Sequence, residues 1–168
     1  MGWEGATRQE VSTTVVIGLG NPFRGDEGVG PRLVQQLSQQ MCPNDTVRFF
    51  DLGTAGMRLL DAIAGVRKVV VVDCALMGLP PGTLRRFVPE QVKSLKSLGG
   101  FSIHDTDLMQ ILALSKQLGE SPEQVVLFGI QPENLNYTME LSSILTQHWE
   151  TYVAAIAQEL VTETEERG

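Results

Sequence analysis

The chain has 168 residues, 42% hydrophobic and 20% charged, a size and balance suited to one globular domain with one core. Lys and Arg number 13 against 20 Asp and Glu, a net charge of −7, which argues against nucleic acid and against an anionic membrane surface as partners. A metal cation or a basic segment of a partner fits that sign better. The two cysteines, Cys42 and Cys74, make neither a C-x-x-C motif nor a disulfide framework, and a reducing cytoplasm is the expected compartment.

Residues 1–12 read as a loose N-terminal arm without the apolar core of a signal peptide. An α/β core is expected over 13–161 and a solvated tail over 162–168, so that 1–168 form a single domain. Thr13–Leu19 is β-branched and apolar and predicts a first strand. Gly18 and Gly20 then allow a tight turn, and a helix over Glu27–Gln40 places Val29, Leu33, Leu37 and Met41 on one face. Pro43-Asn44-Asp45 is a turn. Val47–Leu52 predicts a second strand, followed by the Gly53–Gly56 turn and a short helix over Met57–Ala64 with Leu60 and Ile63 inward.

Val69–Val72 is the continuous apolar run of a strand buried on both faces, and Asp73 and Cys74 follow it. Thr83–Val88 predicts an edge strand and Ser97–Gly100 a flexible loop. A helix capped by Ser102 runs past His104 to Leu118. Gln124–Ile130 is a further apolar strand, Gln131–Asn134 a loop, and Met139–Val161 a long last helix. The alternation of strands and helices predicts a three-layer α/β sandwich, with a twisted, mostly parallel central sheet covered by helices on both faces.

The loop after the first strand carries the first chemical signal. Strand, glycine turn and helix can bind phosphate, but Phe23 stands where the dinucleotide fingerprint wants glycine. Asp26 and Glu27 follow Gly25 where a P-loop wants Lys and Ser or Thr. Two carboxylates there repel phosphate and attract a cation. In parallel sheets ligands bind beyond the carboxyl ends of the strands. Glu27 follows the first strand, Asp51 ends the second and Asp73 ends the third, so all three belong on one rim.

His104 sits near a helix N-terminus, where the dipole favours the neutral, metal-ligating ring, whereas His148 lies beside the Trp149 stripe and reads as structural. Glu27, Asp73 and His104 together make an O, O, N donor set that suits a borderline divalent ion such as nickel or zinc. Cys74 with His104 could instead serve a cysteine hydrolase.

The blocks GLGNPFRGDEGVG, FFDLGTAGM, VVVVDCA, SIHD and FGIQPENL occur in this order between Val15 and Trp149. In that order they resemble the hydrogenase maturation protease family, the endopeptidases that trim the C-terminal extension of the nickel-iron hydrogenase large subunit. The resemblance implies a mixed twisted sheet between helices. It implies that Glu27, Asp73 and His104 contact nickel and that Asp51 matches the acid before the Gly-Thr-Ala-Gly turn. It further implies that the nickel arrives with the large-subunit precursor; with three ligands on separate loops, the isolated protein is expected to bind nickel weakly.

Two cleavage chemistries follow from it: a metal-activated water or carbonyl, or a carboxylate general base such as Asp73 or Asp26. A monomer is expected, with neither nucleic acid nor membrane as partner. A nickel chaperone that uses the same ligands without cutting is the non-enzymatic alternative.

Overall fold

The computed structural model describes residues 14–41, 46–54, 56–97 and 105–165. The expected N-terminal arm, the Pro43-Asn44-Asp45 turn, the Ser102 cap and His104 lie outside the described residues. Five strands form one sheet: β1 (Thr14–Leu19), β2 (Val47–Gly53), β3 (Lys68–Cys74), β4 (Leu84–Phe87) and β5 (Gln124–Ile130), in the order β2-β1-β3-β5-β4. The four longer strands are parallel, and the short β4 runs antiparallel along the edge of β5.

The apolar run around Val69–Val72 takes the central position, and every residue of β3 is buried. Alternation along the strands divides the core in two. Val15, Ile17, Val69, Val71 and Leu127 face α2 (Met57–Ile63) and α4 (Asp105–Gln117), which contribute Leu59, Ile63, Leu108 and Ile111. Val16, Val70, Val72, Val126 and Phe128 face the other way. There α1 (Val29–Gln40) supplies Leu33 and Leu37, and α6 (Trp149–Glu165) supplies Tyr152, Ile156 and Leu160.

The departures from expectation have local causes. Glu27 does not open the first α-helix: Gly25–Gly28 form a 3-10 turn, and α1 begins at Val29. A further helix, α3 (Pro89–Ser97), fills the stretch between the edge strand and the Ser97 loop, for which the sequence pattern predicts no element. Its start is marked by Pro89 in the first turn and by Gln91, whose side-chain Oε1 accepts the Val88 N–H at 2.9 Å.

The long last helix is two. Thr138 and Ser142 are bonded to Gly25 and Asp26, which keeps that stretch out of a helix. α5 (Ser143–Gln147) then ends at His148, whose ψ of 5° leaves helical geometry before α6 starts. α6 runs on to Glu165, into the stretch read as tail.

Candidate active site

The glycines after β1 serve close packing. A Cβ on Gly30 would lie 2.4 Å from the Val72 carbonyl oxygen and 2.5 Å from that of Leu19. Gly20, at φ +131°, would put a Cβ 1.9 Å from the Glu27 carbonyl oxygen. The backbone of the 3-10 turn and the first turn of α1 thus lie directly on the ends of β1 and β3. This spends the glycines on backbone contact and lowers the Asp26–Glu27 pair onto the carboxyl rim of the sheet.

The two neighbouring acids diverge. Asp26 is fully buried and accepts hydrogen bonds from the amides of Glu133 and Asn134, both 2.9 Å, and from the amide and hydroxyl of Ser142 at 2.7 and 2.8 Å. Its own N–H donates to the Asn134 carbonyl. Asp26 therefore holds the segment after β5 against the segment after β1. Glu27 is 6% exposed and meets the Arg24 guanidinium at 3.5 Å.

Asp73, 1% exposed, is the penultimate residue of β3, and its Oδ1 accepts the Cys74 N–H at 2.8 Å. Burial pushes the Cys74 thiol up, and the charges of Asp73, Glu27 and Asp26 push it further. The charges of all three acids thus act on that thiol, and a group held so firmly in its protonated form is unsuited to act as a nucleophile. Burial also pushes the Tyr152 phenol up to about 12, with Asp26 adding to the effect.

Asp51 does not join this cluster. It pairs with Gly18 in the sheet register, as Val72 does from the other side, and so shares the rim. It is exposed, and its Oδ1 accepts the Gly53 N–H at 3.1 Å to close the turn after β2. Alternation puts it on the α1 face, whereas Asp73 belongs with Val69 and Val71 on the α2–α4 face.

His104 precedes the first residue of α4. After α4 the chain stands beside the start of β3, where Glu123 N–H donates to the Arg67 carbonyl at 2.9 Å. A helix of α4's length spans about 20 Å, close to the length of the strands, so Asp105 opens it toward the carboxyl rim, on the face Asp73 belongs to. Among the described residues no cluster of three metal-ligating side chains is complete.

Two contributors were missed in the sequence. Gln131 Oε1 accepts the amides of Met77 and Leu79 at 2.7 and 3.4 Å and so fixes the segment after β3. A buried amide side chain directly after an apolar strand was its available signal. Arg24 reaches Glu27 and also stacks over Tyr137 at 5.5 Å, a contact between segments distant in sequence that no local pattern announces.

The family model described as hydrogenase maturation protease matches residues 31–159. Hydrogenase 2 maturation protease of Escherichia coli is 34% identical over 122 residues, covering 72% of this chain and 74% of that protein. The hydrogenase expression/formation protein HupD of Thiocapsa roseopersicina is 35% identical over 122 residues. There the match spans 73% of this chain and 55% of the relative, so the chain covers little more than half the length of that curated protein. The solved structure of the hydrogenase maturating endopeptidase HybD from E. coli superposes with a TM-score of 0.80 at 29% identity. That match covers 90% of this chain and 93% of the other.

Proposed function

Because this chain belongs to the hydrogenase maturation protease family, we propose that it is an endopeptidase acting on a nickel-iron hydrogenase large-subunit precursor. It removes the C-terminal extension after nickel insertion and uses the nickel carried by that substrate as the recognition element. The observation that carries this reading is the close packing of the 3-10 turn and the start of α1 on the ends of β1 and β3, which brings the buried Glu27 and the buried Asp73 to one rim of the sheet.

Glu27, Asp73 and His104 are the side chains that meet the substrate's nickel. Carboxylate oxygens with one imidazole suit a borderline divalent ion and leave further positions to the substrate's own ligands. That donor set is small, which agrees with metal arriving as cargo. For the cut itself, Asp73 is the proton acceptor best supported. Asp26 already accepts four hydrogen bonds that fix the rim, whereas Asp73 stands at the end of the central strand with its Oδ1 oriented by the Cys74 N–H. Asp73 takes a proton from the water attacking the scissile carbonyl and returns it to the departing amide nitrogen as the C–N bond breaks.

A protein substrate is supported by the apolar character of the same rim. Among the described residues, seven large hydrophobic side chains are exposed, and five of them follow strand ends on this side: Phe23, Met57, Leu76, Tyr137 and Met139. Exposed apolar side chains at one end of the sheet favour macromolecular docking. No helix among the described residues is long and apolar enough to cross a membrane, and the proposed place of action is the cytoplasm.

The test is incubation with purified large-subunit precursor, with and without nickel, followed by mass analysis of its C-terminus. The nickel-loaded precursor is expected to lose its extension and the nickel-free one to remain intact. Asp73→Asn is expected to slow cleavage by about 100-fold or more. Equal cleavage of both precursors would remove nickel as the recognition element, and an intact loaded precursor would remove the protease.

A further inference from the structure

We propose that Arg24 is a resident counter-ion of Glu27, which a cation brought by the substrate must displace, and that the ring of Tyr137 receives the displaced guanidinium. This rests on the reading of Glu27 as a cation-binding residue and adds a device that sets which cations gain access to it.

Arg24 is loosely committed where it stands. Its Nη1 lies 3.5 Å from Glu27 Oε1, an ion pair too long for a good hydrogen bond. The Arg24 side chain is 41% exposed, whereas that of Glu27 is only 8% exposed. The Arg24 Nε is buried and makes no hydrogen bond. A guanidinium this exposed and this far from its partner is weakly held, yet its positive charge offsets the Glu27 carboxylate on a rim of acids.

The backbone around it is pinned. Arg24 bridges to Thr138, and the Gly25 N–H donates to the Thr138 carbonyl at 2.8 Å. Arg32 adds a hydrogen bond to the Met139 carbonyl. Movement is thus confined to the Arg24 side chain, and its second contact is already in place. The guanidinium carbon lies 5.5 Å from the centroid of the Tyr137 ring, which is 85% exposed and borne on that same pinned segment. A cation over an exposed ring keeps a modest attraction, comparable to that of the loose ion pair it leaves.

The consequence is selectivity. A monovalent cation exchanges like for like with Arg24 and gains nothing. A divalent ion brings twice the charge and outcompetes it, most effectively when the substrate supplies the remaining ligands. Removal of the Arg24 charge should let bare divalent nickel bind the isolated protein more tightly.

Calorimetric titration with nickel chloride alone tests this on the full chain, for wild type, Arg24→Gln, Arg24→Lys, Glu27→Gln and the Arg24→Gln/Glu27→Gln pair, with thermal melts to confirm folding. Arg24→Gln is expected to tighten nickel binding by about 5-fold or more, and Arg24→Lys to restore the wild-type value because charge is the operative property. Glu27→Gln is expected to weaken binding and to erase the gain from Arg24→Gln. Wild-type affinity in Arg24→Gln, with Glu27→Gln still weakening binding, overturns the counter-ion role and leaves the site standing. Absence of measurable binding in Arg24→Gln also overturns it. Affinity indifferent to Glu27→Gln in both backgrounds overturns the underlying site.

Discussion

Asp26 and Ser142 lie 116 residues apart in the chain and are joined by two hydrogen bonds, from the serine amide at 2.7 Å and its hydroxyl at 2.8 Å. Through this contact the segment after β1 and the segment after β5 form one wall of the rim. Asp26→Asn replaces an oxygen that faces donors with an NH2 group that cannot accept from them. The expected loss is about 2–4 kcal/mol of stability, measured by urea unfolding, because charge-assisted bonds are lost and buried amides stranded. Cleavage should fall with it as the rim loosens. An unchanged urea midpoint with abolished cleavage would instead return Asp26 to a proton-transfer role.

Cys74 is expected to be chemically inert in the folded protein, since burial and the adjacent acids push its thiol up. In a Cys42→Ser background, a disulfide reagent at pH 8 should label Cys74 only after unfolding. Cys74→Ala should cost about 1 kcal/mol of packing and keep cleavage within about twofold of wild type. Loss of cleavage in a folded Cys74→Ala protein would revive the cysteine-hydrolase alternative.

Glu159 predicts a pH dependence at the opposite end of the sheet. It binds Lys68 Nζ at 2.9 Å and accepts from the Arg86 guanidinium at 2.7 and 2.9 Å. Burial raises its carboxyl, but the hydrogen bonds from Arg86 and Lys68 and their charges outweigh this, and the group lies below the ordinary carboxylate range. Its stabilisation is therefore present in full above the unfolded carboxyl value of about 4.3 and is lost as pH falls through the lower folded value. Glu159→Gln removes the carboxylate charge that faces both Lys68 and Arg86 and should cost about 3 kcal/mol at pH 7. The gap to wild type, read from urea midpoints, should narrow toward pH 3. A gap constant across that range would show that Glu159 acts through packing alone.

Much of the fold was legible because burial leaves periodic traces. The all-apolar β3 run announced a central strand, and the alternation of strands with amphipathic stretches announced a parallel sheet covered on both faces. α3 escaped because its exposed, Lys- and Ser-containing stretch resembles a loop, although Pro89 and Gln91 carried a capping signal. The apolar stripe through Leu141 and Leu145 predicts one long last helix, whereas hydrogen bonds to Gly25 and Asp26 hold part of that stripe in a loop.

The order of residues alone puts an acid after each of three successive strands, and hence Glu27, Asp51 and Asp73 on one rim, because chain direction in a parallel sheet leaves no other edge for them. Only the tertiary structure decided what each does there. Adjacent Asp26 and Glu27 part company, one turned into the segment after β5 and the other toward Arg24. Asp51 and Asp73 fall on opposite faces of the sheet. The reason is physical: periodicity encodes which face a residue takes, whereas the partner of a buried charge is set by backbone segments that meet only after the sheet has closed.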